Sequence, residues 1–315
     1  MTPALAQANN GNWQTARRWA QLLRPAYRVR IAERFDGGND ALLIALHARR
    51  SAEAIQTWRA AHPARAVVLV MTGTDLYRDI ATDASAQRSL ALADAIVVLN
   101  ELGVHQLPAA LRGKAHVVLQ SCAERATLHK PRRHLRALMV GHLRDEKDPH
   151  TYWRAARRLA DRPDILLDHV GAPLTPALGE AAAAVAAALP GFRWLGGLPH
   201  AAARRRIQAA HVLVHASRLE GGAHVVIEAI RSGTPVLASR IDGNVGLLGE
   251  GYEGLFEPGD DAGLAALLGR ARDDVDMLAR LTAQLAPRAA LFAPAAEQAT
   301  LQHLVGTLLA HHPKP

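Results

Sequence analysis

Short apolar runs alternate with stretches of helical periodicity along almost the whole chain. Such alternation predicts parallel sheets with helices on their faces. The chain has 315 residues, enough for about two domains of this kind. We predict an α/β protein of two doubly wound, Rossmann-like domains, 1–130 and 131–293, and a final helix within 294–315 that packs back on the first domain. The predicted strands are 29–32, 42–47, 66–71, 95–99 and 116–119, then 135–140, 165–170, 192–195, 212–215 and 235–238.

The boundary between the predicted domains lies in residues 124–134, a polar stretch that holds Pro131 and several basic residues. The start of the chain is unusual, because Thr2-Pro3-Ala4 has the character of a loop. A doubly wound domain normally opens with a central strand that leads into such a loop. We therefore expect the first strand of the domain to lie upstream of this chain.

The net charge indicates which classes of partner the chain could bind, and the cysteine content bears on its location. The formal net charge of +8 favours anionic partners such as nucleotides and phosphates, although a solvated basic surface gives the same balance. No aromatic-rich basic stripe is present, so nucleic acid is not predicted as a partner. A single cysteine, Cys122, excludes an intrachain disulfide. Neither a signal peptide nor a membrane-spanning apolar run is found, and we predict a cytoplasmic protein without stable membrane insertion.

The segment GHLRDEKDP, residues 141–149, joins the first predicted strand of the second half to its helix. Asp148 fits the N-cap of that helix, and Pro149 fits its first position. Arg144 and Lys147 then lie at the carboxyl end of the sheet, where ligands bind in doubly wound folds. They could hold a diphosphate and neutralise charge as it leaves. The alternative is an exposed loop with Arg–Glu and Lys–Asp ion pairs.

The segment SRLEGGAHVVIE, residues 217–228, places a glutamate on each side of a glycine-rich turn. Its pattern predicts a buried strand end, a turn at Gly221-Gly222 and a helix start whose backbone amides could bind phosphate. The carboxylates of Glu220 and Glu228 could accept hydrogen bonds from sugar hydroxyls. The alternative is one glutamate beside the helix dipole and one on the surface, but adjacent glycines favour a close backbone approach.

These two segments together resemble the nucleotide-sugar half of GT-B glycosyltransferases, specifically the retaining enzymes of family 4. The resemblance covers residues 135–270 and includes the Ser232-Gly233-Thr234-Pro235-Val236 run. It implies a GT-B fold with two domains facing an interdomain cleft, a UDP-sugar donor and no metal requirement. No Asp-x-Asp run or zinc-type histidine spacing is present, so no metal site is predicted. The resemblance implies that Lys147 contacts the diphosphate, Glu220 the transferred sugar and Glu228 the ribose, and that the donor site also includes Gly141, His142, Leu195, Ser217, Gly221 and Gly222.

The family usually has arginine directly after the first glycine, where this chain has His142. Arg144 could supply the second cationic contact and is included among the catalytic candidates. The backbone around Leu195-Gly196 resembles the edge that recognises the base in this family, with uracil favoured.

A third set of candidates lies in the first half, which receives the acceptor in this architecture. Asn10, Gly11 and Asn12 precede a predicted helix that carries Arg17, and free amides at its start could bind an anion. Thr74, Asp75 and Arg78 follow the strand that ends at Met71. Thr74 and Arg78 are candidate anion ligands, and Asp75 is a candidate proton acceptor or cap. Ordinary helix capping at both places is the alternative.

The first-half segments, together with the donor motifs, resemble the selenosugar synthases of selenoneine biosynthesis. The matching residues are Thr2-Pro3-Ala4, Asn10-Gly11-Asn12, Thr15-Ala16, Arg18-Trp19-Ala20 and 72–79. The resemblance implies transfer of a sugar, typically N-acetylglucosamine, from a UDP-sugar to selenophosphate. UDP is released as the carbon–selenium bond forms, and hydrolysis of the Se–P bond then releases phosphate. Other enzymes of such a pathway are possible partners.

Two other functions fit parts of the sequence. The predicted helix over residues 13–23 combines Trp19, Leu22 and Leu23 with arginines, an interfacial pattern that would suit a lipid acceptor at a membrane surface. The second alternative is a protein that binds a sugar nucleotide but is catalytically inactive. The complete set of Lys147, Glu220 and Glu228 argues against this function.

Overall fold

The computed structural model describes residues 1–3 and 11–312. The chain divides into two compact units, each with its own parallel sheet. The first unit comprises Met1–Ser121, Glu220–His224 and Leu291–Pro315, and the second comprises Cys122–Leu219 and Val225–Ala290. The division at Ser121 precedes the predicted boundary because the following residues pack with the second unit. There, the Arg125 amide donates to the Arg231 carbonyl oxygen at 2.9 Å.

Over the residues that the structure describes, the sheet of the first unit contains four parallel strands in the order β1-β2-β3-β4. Valine, isoleucine and leucine dominate β1–β3, and β2 and β3 are buried along their whole length, as expected of a sheet covered on both faces. The strands and helices are β1 (Leu43–Leu46), β2 (Val67–Val70), β3 (Ala95–Val98), β4 (Ala115–Val117), α1 (Gly11–Leu23), α2 (Ala52–Ala61), α3 (Ile80–Thr82) and α4 (Ala84–Leu92).

The predicted strand over residues 29–32 is wrong. These residues form no ladder, and the amide of Thr2 donates to the carbonyl oxygen of Ala32 at 3.0 Å. Met1 lies beside β1: its ammonium group donates to the Ile44 carbonyl oxygen at 2.6 Å, and its own carbonyl accepts from the Leu46 amide at 3.1 Å. Among the residues that the structure describes, this hydrogen bond from Thr2 does not make residues 29–32 part of a strand pair.

The sheet of the second unit contains six parallel strands in the order β10-β9-β8-β5-β6-β7. The sequence did not predict β10, which is only two residues long. The strands and helices are β5 (Leu135–Val140), α5 (Pro149–Arg158), β6 (Ile165–Val170), α6 (Pro176–Ala188), β7 (Phe192–Trp194), α7 (His200–Ala209), β8 (Val212–His215), α8 (His224–Ile230), β9 (Val236–Ser239), α9 (Asp242–Leu248), β10 (Leu255–Phe256), α10 (Asp261–Asp273) and α11 (Met277–Ala289).

The C-terminal helix, α12 (Pro294–His311), packs against α1 within the first unit. Its Glu297 is 1% exposed and accepts hydrogen bonds from Arg18 Nε at 2.9 Å, Trp19 Nε1 at 2.7 Å and the Ser121 amide at 2.8 Å. A buried carboxylate requires such partners, because burial without them is costly. One side chain of α12 therefore fixes the helix to both α1 and the end of the first unit's main segment.

Replacing Glu297 with alanine should destabilise the first unit by about 3–5 kcal/mol, because the Arg18 guanidinium would keep its burial and lose its counter-charge. A fall in the urea midpoint measures this change. Glu53, exposed on α2 of the same unit, supplies the control, and E53A should leave the midpoint nearly unchanged. Equal effects of the two substitutions would contradict a fixing role for Glu297.

The apolar face of α1 is buried within the first unit. Trp19 is 2% exposed and Leu23 is 3% exposed. The interfacial interpretation of this helix requires those two side chains at the surface, so the structure removes its basis. Among the residues that the structure describes, no helix has both the length and the apolar character that crossing a bilayer requires.

Candidate active site

In the second unit, the loop after β5 folds back on itself at the carboxyl end of the sheet. Asp145–Lys147 forms one turn of 3₁₀-helix, in which the Lys147 amide donates to the Arg144 carbonyl oxygen at 3.0 Å. The aliphatic stem of Lys147 lies over Gly141, because a Cβ atom at that glycine would be 3.5 Å from Lys147 Cδ. The lysine stem is thus in van der Waals range of position 141, while His142 and Arg144 are exposed.

Asp148 fixes the end of this loop. It adopts a left-handed backbone conformation (φ 44°) and caps α5 by accepting from the amide and hydroxyl of Thr151 at 3.3 and 2.8 Å. This confirms the predicted N-cap, and Pro149 takes the predicted first helical position. Arg218 ties the loop to the segment after β8, since its Nε donates to Asp148 Oδ2 at 3.0 Å and its amide to the Glu146 carbonyl oxygen at 2.8 Å.

Two other donor-site candidates in the second unit are deeply buried. Ser217 is 0% exposed, its carbonyl oxygen accepts from Ser239 Oγ at 2.5 Å, and its hydroxyl lies 3.2 Å from His215 Nδ1. These contacts give Ser217 a structural role. Glu228, on α8, is 2% exposed, with Oε1 2.5 Å from His200 Nε2 and 3.6 Å from Arg204 Nε.

Leu195 directly follows β7 and remains half-buried. Its amide donates to the His169 carbonyl oxygen at 2.8 Å, and the next residue, Gly196, adopts a left-handed conformation (φ 64°) and accepts from the Gly171 amide at 2.8 Å. The chain thus turns away from the sheet at the position predicted to recognise the base.

In the first unit, the loop after β2 is organised by Asp75. This side chain is 0% exposed, and its carboxylate accepts from the backbone amides of Ala48, Thr72 and Gly73, each at 2.9 Å. A carboxylate with this set of donors holds the loop in shape. The helical turn that follows begins at Asp75 itself, so this side chain does not cap a helix, and the structure offers no support for proton transfer. Thr74 remains half-buried at the surface of the loop.

The segment Glu220–His224 follows β8 in sequence but packs with the first unit. A Cβ atom at Gly221 would lie 2.5 Å from the carbonyl carbon of Thr72 and 2.7 Å from the amide nitrogen of Gly73. Asn100, which directly follows Leu99 after β3, donates from Nδ2 to the Gly221 carbonyl oxygen at 2.7 Å. The predicted close approach at these glycines is therefore between two backbone segments, and it places Glu220 beside the loop after β2.

The remaining first-half candidates differ in their exposure and in the contacts that their side chains make. Arg17 is exposed on α1, whereas its neighbour Arg18 makes the buried contact with Glu297. Arg78 is half exposed, and its Nε pairs with Asp79 at 3.2 Å. Asn12 lies within α1, so it does not cap this helix. Asn10 lies outside the described residues.

Sequence reasoning missed Asn100 and His47. Both are polar residues that come directly after buried strand segments. The carboxyl ends of parallel strands share one edge of the sheet, so this position in the sequence could have indicated both residues. His47 is 2% exposed, with Nε2 3.2 Å from the Thr74 hydroxyl.

Replacing Gly221 with alanine should lower kcat at least about a hundredfold, because the backbone at Thr72–Gly73 would have to move and displace Glu220. Release of the nucleotide from a UDP-sugar measures this loss. Gly113 provides the matched control, since it belongs to the same unit and a Cβ atom there would meet no atom within 4 Å. Normal turnover by G221A would show that the close approach does not matter.

Comparison with known proteins supplies a family and a set of structural neighbours. The family model "Glycosyl transferases group 1" matches residues 120–284, more than half of the chain. Comparison with curated protein sequences found no match. Similar solved structures include Anabaena HepE in complex with UDP, which is 16% identical, with a TM-score of 0.69 and coverage of 84% of this chain and 78% of that one.

Two further structures show the same similarity. Sucrose-phosphate synthase from Thermosynechococcus elongatus is 19% identical, with a TM-score of 0.68 and coverage of 86% of this chain and 74% of that one. The pneumococcal O-GlcNAc transferase GtfA, in complex with UDP and GlcNAc, is 16% identical, with a TM-score of 0.66 and coverage of 84% and 57%. At such identities the similarity concerns the fold. With two parallel-sheet α/β units, it confirms the predicted GT-B fold class.

Proposed function

The chain belongs to the group 1 glycosyl transferases, and on that basis we propose that it transfers a sugar from a UDP-sugar to selenophosphate. N-acetylglucosamine is the proposed sugar. The proposed reaction forms a carbon–selenium bond, releases UDP, and ends with hydrolysis of the Se–P bond to give a selenosugar and phosphate.

One observation carries this proposal. Within the first unit, the backbone of Gly221 lies against Thr72 and Gly73, so Glu220 stands beside the loop that presents Thr74. A glutamate that contacts the transferred sugar would then lie next to the residues proposed to hold the acceptor. This loop offers hydroxyl donors and the nearby cation of Arg78, which suit a small anion.

The donor assignment draws on the solved neighbours. HepE was solved with UDP and with UDP-glucose, and GtfA with UDP and GlcNAc. We assign Lys147 to the diphosphate, where its charge would stabilise the departing UDP, with Arg144 as a second cation. Glu228 is assigned to the ribose hydroxyls, and the backbone at Leu195 to the base. The reaction as proposed requires no metal ion.

The proposed chemistry balances without an additional reactant other than water. The anionic selenium of selenophosphate attacks C1 of the sugar, the C1–O bond to UDP breaks, and UDP leaves with the bonding electrons. Water then cleaves the Se–P bond, giving the sugar selenol and phosphate. Selenium in selenophosphate is already anionic, so the acceptor needs orientation more than a general base. This is consistent with the structural role of Asp75.

Incubation with UDP-N-acetylglucosamine and selenophosphate tests the proposal. We expect a selenosugar of the calculated mass, with UDP and phosphate in equal amounts, and unchanged rates in the presence of EDTA. Parallel reactions with UDP-glucose and with monothiophosphate measure selectivity for the sugar and for selenium over sulfur. UDP release without a selenium-containing sugar would overturn the proposed acceptor and leave only donor hydrolysis.

A further inference from the structure

His47 combines three unusual properties at the carboxyl end of β1. Its backbone is left-handed (φ 73°), which is uncommon for a residue other than glycine. Its side chain is 2% exposed, although histidine is often at least partly accessible. It also lies next to the loop proposed to hold the acceptor. Local strain of this kind persists only where the surrounding structure enforces it, and it is frequent at functional sites.

The hydrogen bonds of His47 indicate its tautomer. The amide of Arg50 points at Nδ1 at 3.5 Å, so Nδ1 is the accepting nitrogen. The hydrogen of a neutral ring then belongs on Nε2, which lies 3.2 Å from the Thr74 hydroxyl oxygen. His47 is thus the donor in this contact, and Thr74 Oγ1 is the acceptor. The hydroxyl hydrogen of Thr74 is left to point elsewhere.

Charged groups surround the ring on several sides. Asp75 Oδ2 lies 3.9 Å from Nδ1, and Asp79 Oδ2 lies 3.9 Å from Nε2. Both carboxylates are already engaged, Asp75 by backbone amides and Asp79 by Arg49 Nε at 2.9 Å. Burial lowers the pKa of His47, with the charges of Arg50 and Arg49 acting in the same direction and the two aspartates opposing them. The ring is therefore neutral at neutral pH.

We propose that His47 is a positioning residue for the acceptor: its Nε2–H donates to Thr74 Oγ1 and thereby directs the Thr74 hydroxyl hydrogen to an oxyanion of the bound acceptor. This inference rests on the proposed function and identifies how the anion would be recognised. A hydroxyl whose oxygen already accepts from a histidine acts outward as a donor, which suits a fully ionised phosphate-type oxygen. Thr74 touches the acceptor, and His47 acts through it.

Variants at both positions separate this role from simple packing. Asparagine tolerates the left-handed backbone of position 47 but cannot reach as far as Nε2, whereas the glutamine amide can place a nitrogen near that point. We expect H47N and T74V each to raise the KM for selenophosphate about tenfold with an unchanged KM for the UDP-sugar, as for loss of one charge-assisted hydrogen bond. H47Q and T74S should recover most of the loss, and H47N/T74V should be no worse than either single variant.

Several results would overturn the inference. These are an unchanged acceptor KM in H47N, equal changes in both KM values, or additive losses in the double variant. Calorimetric titration of selenophosphate into the UDP-bound enzyme separates this outcome from failure of the proposed function. If the wild type binds the anion and H47N binds it more weakly, the positioning role is supported even if no selenosugar forms. Absence of binding by the wild type overturns both proposals.

Discussion

Replacing Lys147 with alanine should reduce kcat/KM for the UDP-sugar about a thousandfold, the loss expected when a preorganised charge at a leaving group is removed. The stem of Lys147 lies over Gly141, and the 3₁₀ turn from Asp145 holds its backbone in place. Truncation at Cβ therefore removes the ammonium group without disturbing a buried core. Binding of UDP, measured by calorimetry, should weaken in parallel, because the proposed contact is with the diphosphate of both substrate and product.

Lys130 gives a control with the same change of charge in the same unit. It donates to the Gln208 carbonyl oxygen, away from the Gly141 loop. K130A should retain turnover within about threefold, because its contact with Gln208 on α7 is not part of the loop after β5. A fully active K147A, or equal losses in both variants, would contradict the assignment of Lys147 to the diphosphate.

Replacing Glu220 with glutamine should lower kcat about a hundredfold or more while UDP binds with nearly unchanged affinity. The substitution keeps the shape of the side chain, so the loss reports on the charge that we propose faces the transferred sugar. Glu220 is 8% exposed and stands at the start of the segment that Asn100 holds against the loop after β2. Single-turnover measurement of UDP release gives the rate of the chemical step without the contribution of product release.

The matched control is Glu250, an exposed residue of the second unit, because E250Q makes the same chemical change at the surface. Its kcat should equal that of the wild type. If E220Q instead raised the KM for the donor and left kcat unchanged, Glu220 would contribute to ground-state binding only, and the proposed role beside the reacting sugar would be wrong.

Most of the sheet architecture could be predicted because buried parallel strands have a local signal. The apolar runs of β2 and β3 are continuous, and β5, β6 and β8 are mostly apolar, so the sequence locates each of them directly. Residues 29–32 carry Val29, Ile31 and Ala32 with Arg30 between them. A strand also requires a neighbour, and pairing is not a local property. The sequence did not predict β10 for a different reason: a strand of two residues is too short to form a recognisable pattern.

The candidate donor residues could be found from sequence because they lie in two contiguous motifs. His47 and Asn100 belong to no motif. His47 comes close to Thr74 through the pairing of β1 with β2, and Asn100 contacts Gly221 across 121 residues of sequence. The distinction between Arg17 and Arg18 was equally inaccessible, because it depends on which face of α1 meets α12. Asp75 was recognised as a polar residue after a strand, but only the structure shows that its carboxylate is occupied by backbone amides.

The assignment of Glu220–His224 to the first unit has a practical consequence for recombination between related enzymes. A chimera that joins the first half of one homologue to the second half of another would separate this pentapeptide from the Thr72–Gly73 backbone with which it evolved. Donor and acceptor specificity would then fail to transfer as independent modules. A productive exchange has to carry residues 220–224, as a short insert, and residues 291–315 together with the segment up to Ser121, because all three belong to the first unit.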